Sequence, residues 1–325
     1  MQLESFIAGR WRAGNGTPVA LRDATTGEVI ANASADGLDV AAGLAHAREV
    51  GGPNLRHLTF HDRAALLKSL AKHLTDRKEE LYELSYATGA TRSDSWIDID
   101  GGIATLFVYA SKGMRELPDS HVYVDGATET LSKTGGFVGQ HICVPLEGAA
   151  VHINAFNFPV WGMLEKLAPT LLAGMPAIVK PATATAYLTE RAFRRIIDCG
   201  ILPEGAVQLI CGGVGDLFDH LDTQDVVAFT GSASTARKLR THPAVIGHSV
   251  RFTAETDSLN SCVLGPDAAA GTPEFDLFVR EVAREMTVKA GQKCTAIRKA
   301  IVPAAIAADV VEALKAALGK IVLGN

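Results

Sequence analysis

The chain has 325 residues, 47% of them apolar, and a net charge of -5. That length can hold more than one domain and a sizeable core, and with no lysine- or arginine-rich run the charge offers no track for nucleic acid. Five scattered cysteines (Cys143, Cys199, Cys211, Cys262 and Cys294) with no C-x-x-C pair argue against a disulfide framework and a structural zinc site. The opening residues lack a basic segment followed by an apolar one, and no apolar run nears the ~20 residues of a membrane span. The expectation is a soluble, cytoplasmic protein.

In chain order, the opening "FIAGRWRAGNGTPVALRDATTGEVIANAS" reads as short strands broken by Gly-Asn-Gly and Thr-Thr-Gly turns. A long amphipathic helix is expected from about Asp62 to Tyr86, with Leu66, Leu67, Leu70, Leu74, Leu81 and Leu84 on one face and Gly89 placed to stop it. Residues 122–146 read as two extended segments around Gly135-Gly136, a hairpin arm. From 149 onward the texture changes. Buried-strand candidates "AAVHI", "PAIVK", "AVQLIC" and "DVVAFT" alternate with helical patterns such as "WGMLEKLAPTLLAG" and "LTERAFRRIIDCG". This is the signature of βαβ units on a parallel sheet. Further strands near 248–254 and 261–265 lead to the helix "PEFDLFVREVAREMTVKAG", and another strand and helix follow. The boundary is expected near Glu255, giving units 1–255 and 256–325.

Parallel sheets of this type hold ligands at the carboxyl ends of their strands. Three such ends carry chemistry. "NAFNFPVWG" places Asn157 in a loop before a helix, "KPATATA" puts Lys180 at a strand tip, and "FTGSASTARKL" sets Gly231 and Ser232 at a helix start, where free amides suit a phosphate. The G-x-G-x-x-G fingerprint is missing. Later come the glutamate of "FTAETDS", Glu255, and the lone cysteine of "GQKCTA", Cys294. An isolated cysteine is ordinarily a core residue. The other four cysteines are read as structural. Asp94, Asp98 and Asp100 are read as helix-start and surface acids rather than as a metal site, and the ten histidines show no ligand spacing, so no metal is expected.

Taken in order, "NAFNFP", "IVKPA", "LPEGAVQLICG", "FTGS", "FTAETDS" and "GQKCTA" resemble the aldehyde dehydrogenase superfamily. The stretches 88–113 and 253–265 further resemble the aldehyde dehydrogenase part of bifunctional phenylacetate-degradation proteins. The semialdehyde dehydrogenases of the benzoyl-CoA pathway come second. The resemblance implies a Rossmann-like parallel-sheet cofactor domain (1–255), a β-hairpin oligomerisation arm at about 122–148, and an α/β catalytic domain of which 256–325 is the first part. It implies that Cys294 is the nucleophile, that Asn157 and the Cys294 backbone N–H hold the oxyanion, and that Glu255 activates water. Phe156, Lys180, Ala182, Thr183, Gly231 and Ser232 are implied for the cofactor. Many members carry an acid at the position of Thr183, so NADP is expected, with NAD possible. The substrate implied is a small-molecule aldehyde, CoA-linked, from aromatic-acid breakdown, oxidised by a homo-oligomer. Since family members run well beyond "IVLGN", the resemblance also implies that this chain is not a complete dehydrogenase. Rival readings are a CoA-acylating dehydrogenase, a cysteine hydrolase, and a truncated relative without turnover.

Overall fold

The computed structural model describes residues 1–324. Two short antiparallel pairs open the chain: β1 (Ser5–Ile7) with β2 (Arg10–Arg12), and β3 (Val19–Arg22) with β4 (Val29–Ala33). A helical stretch follows, α1 (Val40–His46) and α2 (Gly52–Arg56) joined by a π-turn at 47–51, then α3 (Phe60–Thr75), α4 (Lys78–Ser85) and α5 (Arg92–Glu116). The hairpin is β5 (Tyr123–Thr130) and β6 (Val138–Cys143), antiparallel. Then the alternating part runs β7 (Ala150–Ile153), α6 (Trp161–Leu172), β8 (Ala177–Lys180), α7 (Ala186–Asp198), β9 (Val207–Leu209), β10 (Val226–Gly231), α8 (Ala233–Arg240), α9 (Pro243–Gly247) and β11 (Arg251–Thr256). The last elements are β12 (Ser261–Val263), α10 (Pro273–Thr287), β13 (Lys299–Ile301) and α11 (Ala307–Leu318).

The expected single helix from Asp62 to Tyr86 is two helices. α3 ends at Asp76, whose N–H returns to Leu74 and Lys72, and α4 restarts after Arg77, which leaves helical backbone at ψ 9. The leucine pattern runs through the break because both helices turn the same face to the core. Gly89 does terminate the segment, in the left-handed conformation at φ 77, which an L side chain adopts only under strain.

The chain divides into two compact units, Met1–Glu255 and Thr256–Asn325. In the first, a seven-stranded sheet has the order β11-β10-β7-β8-β9-β1-β2. Its centre is parallel: β7 pairs with β10 and β8, and β8 with β9. The strand candidates read from continuous apolar runs are these strands, and runs of that kind arise because both faces are covered. Side-chain alternation divides the core accordingly. Ala177 and Val179 join the cluster under α3, α5, α6 and α7, while Ile178 joins the cluster on the opposite face. Arg63 is buried within the first cluster, and its guanidinium donates to the carbonyls of Leu172, Leu55 and Leu58. Burial of that group pushes its pKa down to about 10. In the second unit β12 and β13 form a parallel pair, packed with α10 and α11 around Phe275, Phe278 and Val282.

Candidate active site

Register explains how the first unit assembles its strand tips. Ile153 at the end of β7 lies level with Lys180 on one side and Phe229 on the other. The loop 154–160, the segment 181–185 and residues 230–232, where β10 runs into α8, therefore lie at the same edge of the sheet. Asn157, Phe156, Ala182, Thr183, Gly231 and Ser232 lie on these three segments, and Lys180 is the last residue of β8 beside them.

The loop bearing Asn157 is held from several directions. The Asn154 N–H donates to the Lys180 carbonyl at 3.0 Å. The Thr185 hydroxyl donates to the Phe156 carbonyl at 3.1 Å, and that of Thr189 to the Pro159 carbonyl at 3.0 Å. The Asp98 carboxylate accepts the N–H groups of Val160 (3.1 Å) and Trp161 (2.8 Å), where α6 begins. Asp98 is therefore not a surface acid: it is 0% exposed. Asp94 is a helix-start residue, forming a capping box with Thr91, whereas Asp100 is partly buried against Lys78 and Tyr82. The signal for Asp98 lay in the sequence. It falls on the stripe Ser95, Ile99, Gly102, Ile103 and Leu106 that α5 turns inward, where a carboxylate needs partners.

Lys180 is half-buried, and burial lowers its amine pKa below the ordinary lysine range. Thr183 donates its hydroxyl to the Gly212 carbonyl at 3.4 Å. Ser232 caps α8, accepting the Thr235 N–H at 3.3 Å. A side chain at Gly231 would meet the Phe229 ring at 2.7 Å, so the backbone there is kept bare. Phe156 is 48% exposed beside these groups. One cation, a helix N-terminus with its hydroxyl, and an exposed aromatic ring on one sheet edge fit the phosphates, sugars and ring of a dinucleotide.

Glu255, near the end of β11, is exposed and lines a cavity of about 550 Å³ with Thr253, Thr230, Trp161, Lys166 and His152. His152 is buried, with Nε2 3.1 Å from the Thr170 hydroxyl and no hydrogen-bond partner for Nδ1. Burial pushes its pKa down to about 3, so the ring stays neutral.

Cys294 belongs to the second unit. It is exposed, which sets aside the core-packing reading of an isolated cysteine. Its carbonyl accepts from the Asn260 side chain, and neighbouring Lys293 pairs with Glu285 at 2.8 Å, both ends mostly buried. Just before it, Lys289, Ala290 and Gly291 all have positive φ (55, 51 and 71), a strained approach to the cysteine. Of the other cysteines, Cys211 is buried and its thiol pKa is pushed up by that burial. Cys143, by contrast, is exposed on β6 and packs nothing, because a two-stranded ribbon has no covered face. Among the described residues no three His, Cys, Asp or Glu side chains form a metal-binding group. No helix among them is long and apolar enough to cross a membrane.

Comparison with known proteins gives the arrangement its context. The chain is 48% identical over 326 residues to a 3,4-dehydroadipyl-CoA semialdehyde dehydrogenase from Aromatoleum evansii, covering 100% of this chain and 63% of the relative. It is 26% identical over 338 residues to malonate-semialdehyde dehydrogenase 3 of Geobacillus kaustophilus, covering 99% and 64%. The chain thus spans a little under two thirds of the length of these relatives. Among solved structures, the NAD+ complex of a betaine aldehyde dehydrogenase from Staphylococcus aureus matches with a TM-score of 0.84 at 22% identity, over 99% of this chain and 62% of that one. The NADP complex of the NADP-dependent glyceraldehyde-3-phosphate dehydrogenase from Bacillus halodurans matches at 0.83 and 19%, over 100% and 66%. These likenesses show the shared fold. The model of the aldehyde dehydrogenase family matches residues 11–325, a span that contains every strand-tip residue described above together with Glu255 and Cys294. The chain belongs to the aldehyde dehydrogenase family.

Proposed function

We propose that the chain is part of an enzyme that oxidises a CoA-linked semialdehyde from aromatic-acid breakdown to the carboxylate, with NADP or NAD as hydride acceptor. The observation that carries this reading is the 48% identity, sustained along the whole chain, with a CoA-semialdehyde dehydrogenase. Residues 1–255 serve as the cofactor domain and 256–325 as the start of the catalytic domain. The β5–β6 hairpin, with Val124, Phe137 and Ile142 exposed, serves as the arm of a homo-oligomer.

The chemistry assigns one task to each group. Cys294, as thiolate, forms a C–S bond with the aldehyde carbon, and the carbonyl π pair moves to oxygen. The Asn157 carboxamide and the Cys294 backbone N–H donate to that oxyanion. When bound, a nicotinamide dinucleotide would supply the acceptor for the hydride that leaves as this oxyanion collapses. A thioester on Cys294 remains. Glu255 takes a proton from water as the water attacks this thioester, the C–S bond breaks, and Cys294 leaves as thiolate. Lys180 would hold the ribose and Ser232 the pyrophosphate, and Phe156 and Ala182 would line the same place. Thr183 places no carboxylate against a 2′-phosphate, which Lys180 can pair, so NADP is used at least as well as NAD.

The test is a panel of aldehydes, CoA-linked semialdehydes included, followed by absorbance of the reduced cofactor. Glu255→Gln should give one burst of reduced cofactor and then stall. Efficient oxidation of simple aldehydes with none of the CoA-linked ones would sink the substrate assignment. Tight cofactor binding with no turnover on any aldehyde would favour a non-catalytic relative.

A further inference from the structure

We infer that Asp98 is a positioning residue for Asn157, acting through the first turn of α6. The inference rests on the proposed role of Asn157 as an oxyanion donor. The first N–H groups of a helix have no partner within it. Here the Val160 and Trp161 amides both point to one carboxylate, at 3.1 and 2.8 Å, from a side chain that is 0% exposed. These amides lie three and four residues past Asn157. Between them Pro159 fixes its own φ, leaving the segment little freedom to absorb a shift.

The same turn is bounded from the α5 side. A Cβ on Gly102 would stand 2.9 Å from the Trp161 Cα, so helix backbone meets helix backbone there. The hydroxyls of Thr185 and Thr189 fix the carbonyls of Phe156 and Pro159 from α7 and the turn before it. The loop is thus tied on both sides of Asn157, and Asp98 ties the start of α6 through its carboxylate. A negative charge at this helix start also suits the helix dipole. Removing it frees the turn, and a displacement of ~1 Å in a catalytic group is enough to cost about a hundredfold in rate.

The experiment is a double-mutant cycle read at the hydride-transfer burst, in the enzyme with saturating cofactor. Asp98→Ala should lower the burst rate about ten- to a hundredfold, with KM for aldehyde and cofactor within about twofold. Asp98→Asn, which keeps an acceptor oxygen for the two amides, should recover most of the loss. Asn157→Ala should lose about a hundred- to a thousandfold, and Asp98→Ala added to it should cost nothing more, because both act through one group. Losses that multiply in the double variant would overturn the positioning role while leaving Asn157 its own. An undiminished burst in Asn157→Ala would instead overturn the oxyanion assignment and the positioning role together. Should Asp98→Ala fail to fold, Gly102→Ala, which forces the same turn away, carries the cycle with Asn157→Ala. Full activity in Gly102→Ala, with hydrogen exchange at 156–161 unchanged, would also overturn it.

Discussion

The two compact units solve the burial problem differently. The first covers both faces of its sheet, and its strand β7 is buried at every position. The second gathers seven buried apolar residues on one side of a two-stranded pair, and leaves Val263 (68%) and Ile301 (52%) exposed on the strands themselves. The contrast teaches where precision comes from. In the first unit, level strand tips and tied loops fix the candidate cofactor residues. In the second, Cys294 depends on local devices: the Asn260 side chain, the Lys293–Glu285 pair and three left-handed residues.

The sharpest test of this division is Cys294→Ala. It should remove hydride transfer by more than about a thousandfold while leaving the cofactor Kd within about twofold, because the residues proposed for the cofactor belong to the other unit. Cofactor affinity that collapsed with the thiol would break the comparison.

Core truncation comes next. Phe193 is 0% exposed, with the rings of Phe6 and Trp11 both centred 6.1 Å away. Phe193→Ala should cost about 3–5 kcal/mol in urea unfolding, and Phe278→Ala in the second unit about half that, since a thinner core relaxes around the gap. Equal costs would mean that the second unit is as well packed as the first.

Acid should separate the units as well, since all ten histidines lie before Glu255. His152 has its pKa pushed down to about 3 by burial, from an ordinary 6.5. Between those values the unfolded chain binds a proton that the folded chain does not, so this contribution is intact above pH 6.5 and erodes as pH falls. His152→Gln should remove about 2 kcal/mol of the stability lost between pH 7 and 5. Urea midpoints at the two pH values measure it; an unchanged pH slope would contradict the assignment.

The smallest effect is expected at Thr183. Thr183→Glu should move the ratio of kcat/KM for NADP over NAD about tenfold toward NAD, by placing a carboxylate beside the 2′-phosphate. A ratio unmoved by the substitution would place position 183 away from the ribose.

Much of the first unit was legible because buried parallel strands announce themselves as apolar runs, and "AAVHI", "PAIVK" and "DVVAFT" became the level strands β7, β8 and β10. What was hidden depended on distant partners. The break at Asp76-Arg77 left the leucine pattern undisturbed. The docking of β1 against β9, with Phe6 opposite Leu209, joins residues two hundred positions apart and leaves no local trace. The inward stripe of α5 marked Asp98 as a buried position, but its partners did not show, because they are backbone amides some sixty residues away and backbone donors have no letter in a sequence. Of the left-handed residues before Cys294 only Gly291 carried a sign of that conformation, since lysine and alanine give none.

The β5–β6 ribbon stands apart from every one of the packed clusters, and at its tip Lys133 is exposed between the two strands. An extended, exposed loop tip is the kind of backbone a protease can thread. Brief trypsin treatment should therefore cut first after Lys133, separating 1–133 from 134–325 as covalent chains. The pieces should still travel together on gel filtration, because α3 and α5 from the first piece pack with α6 and α7 from the second in a single cluster.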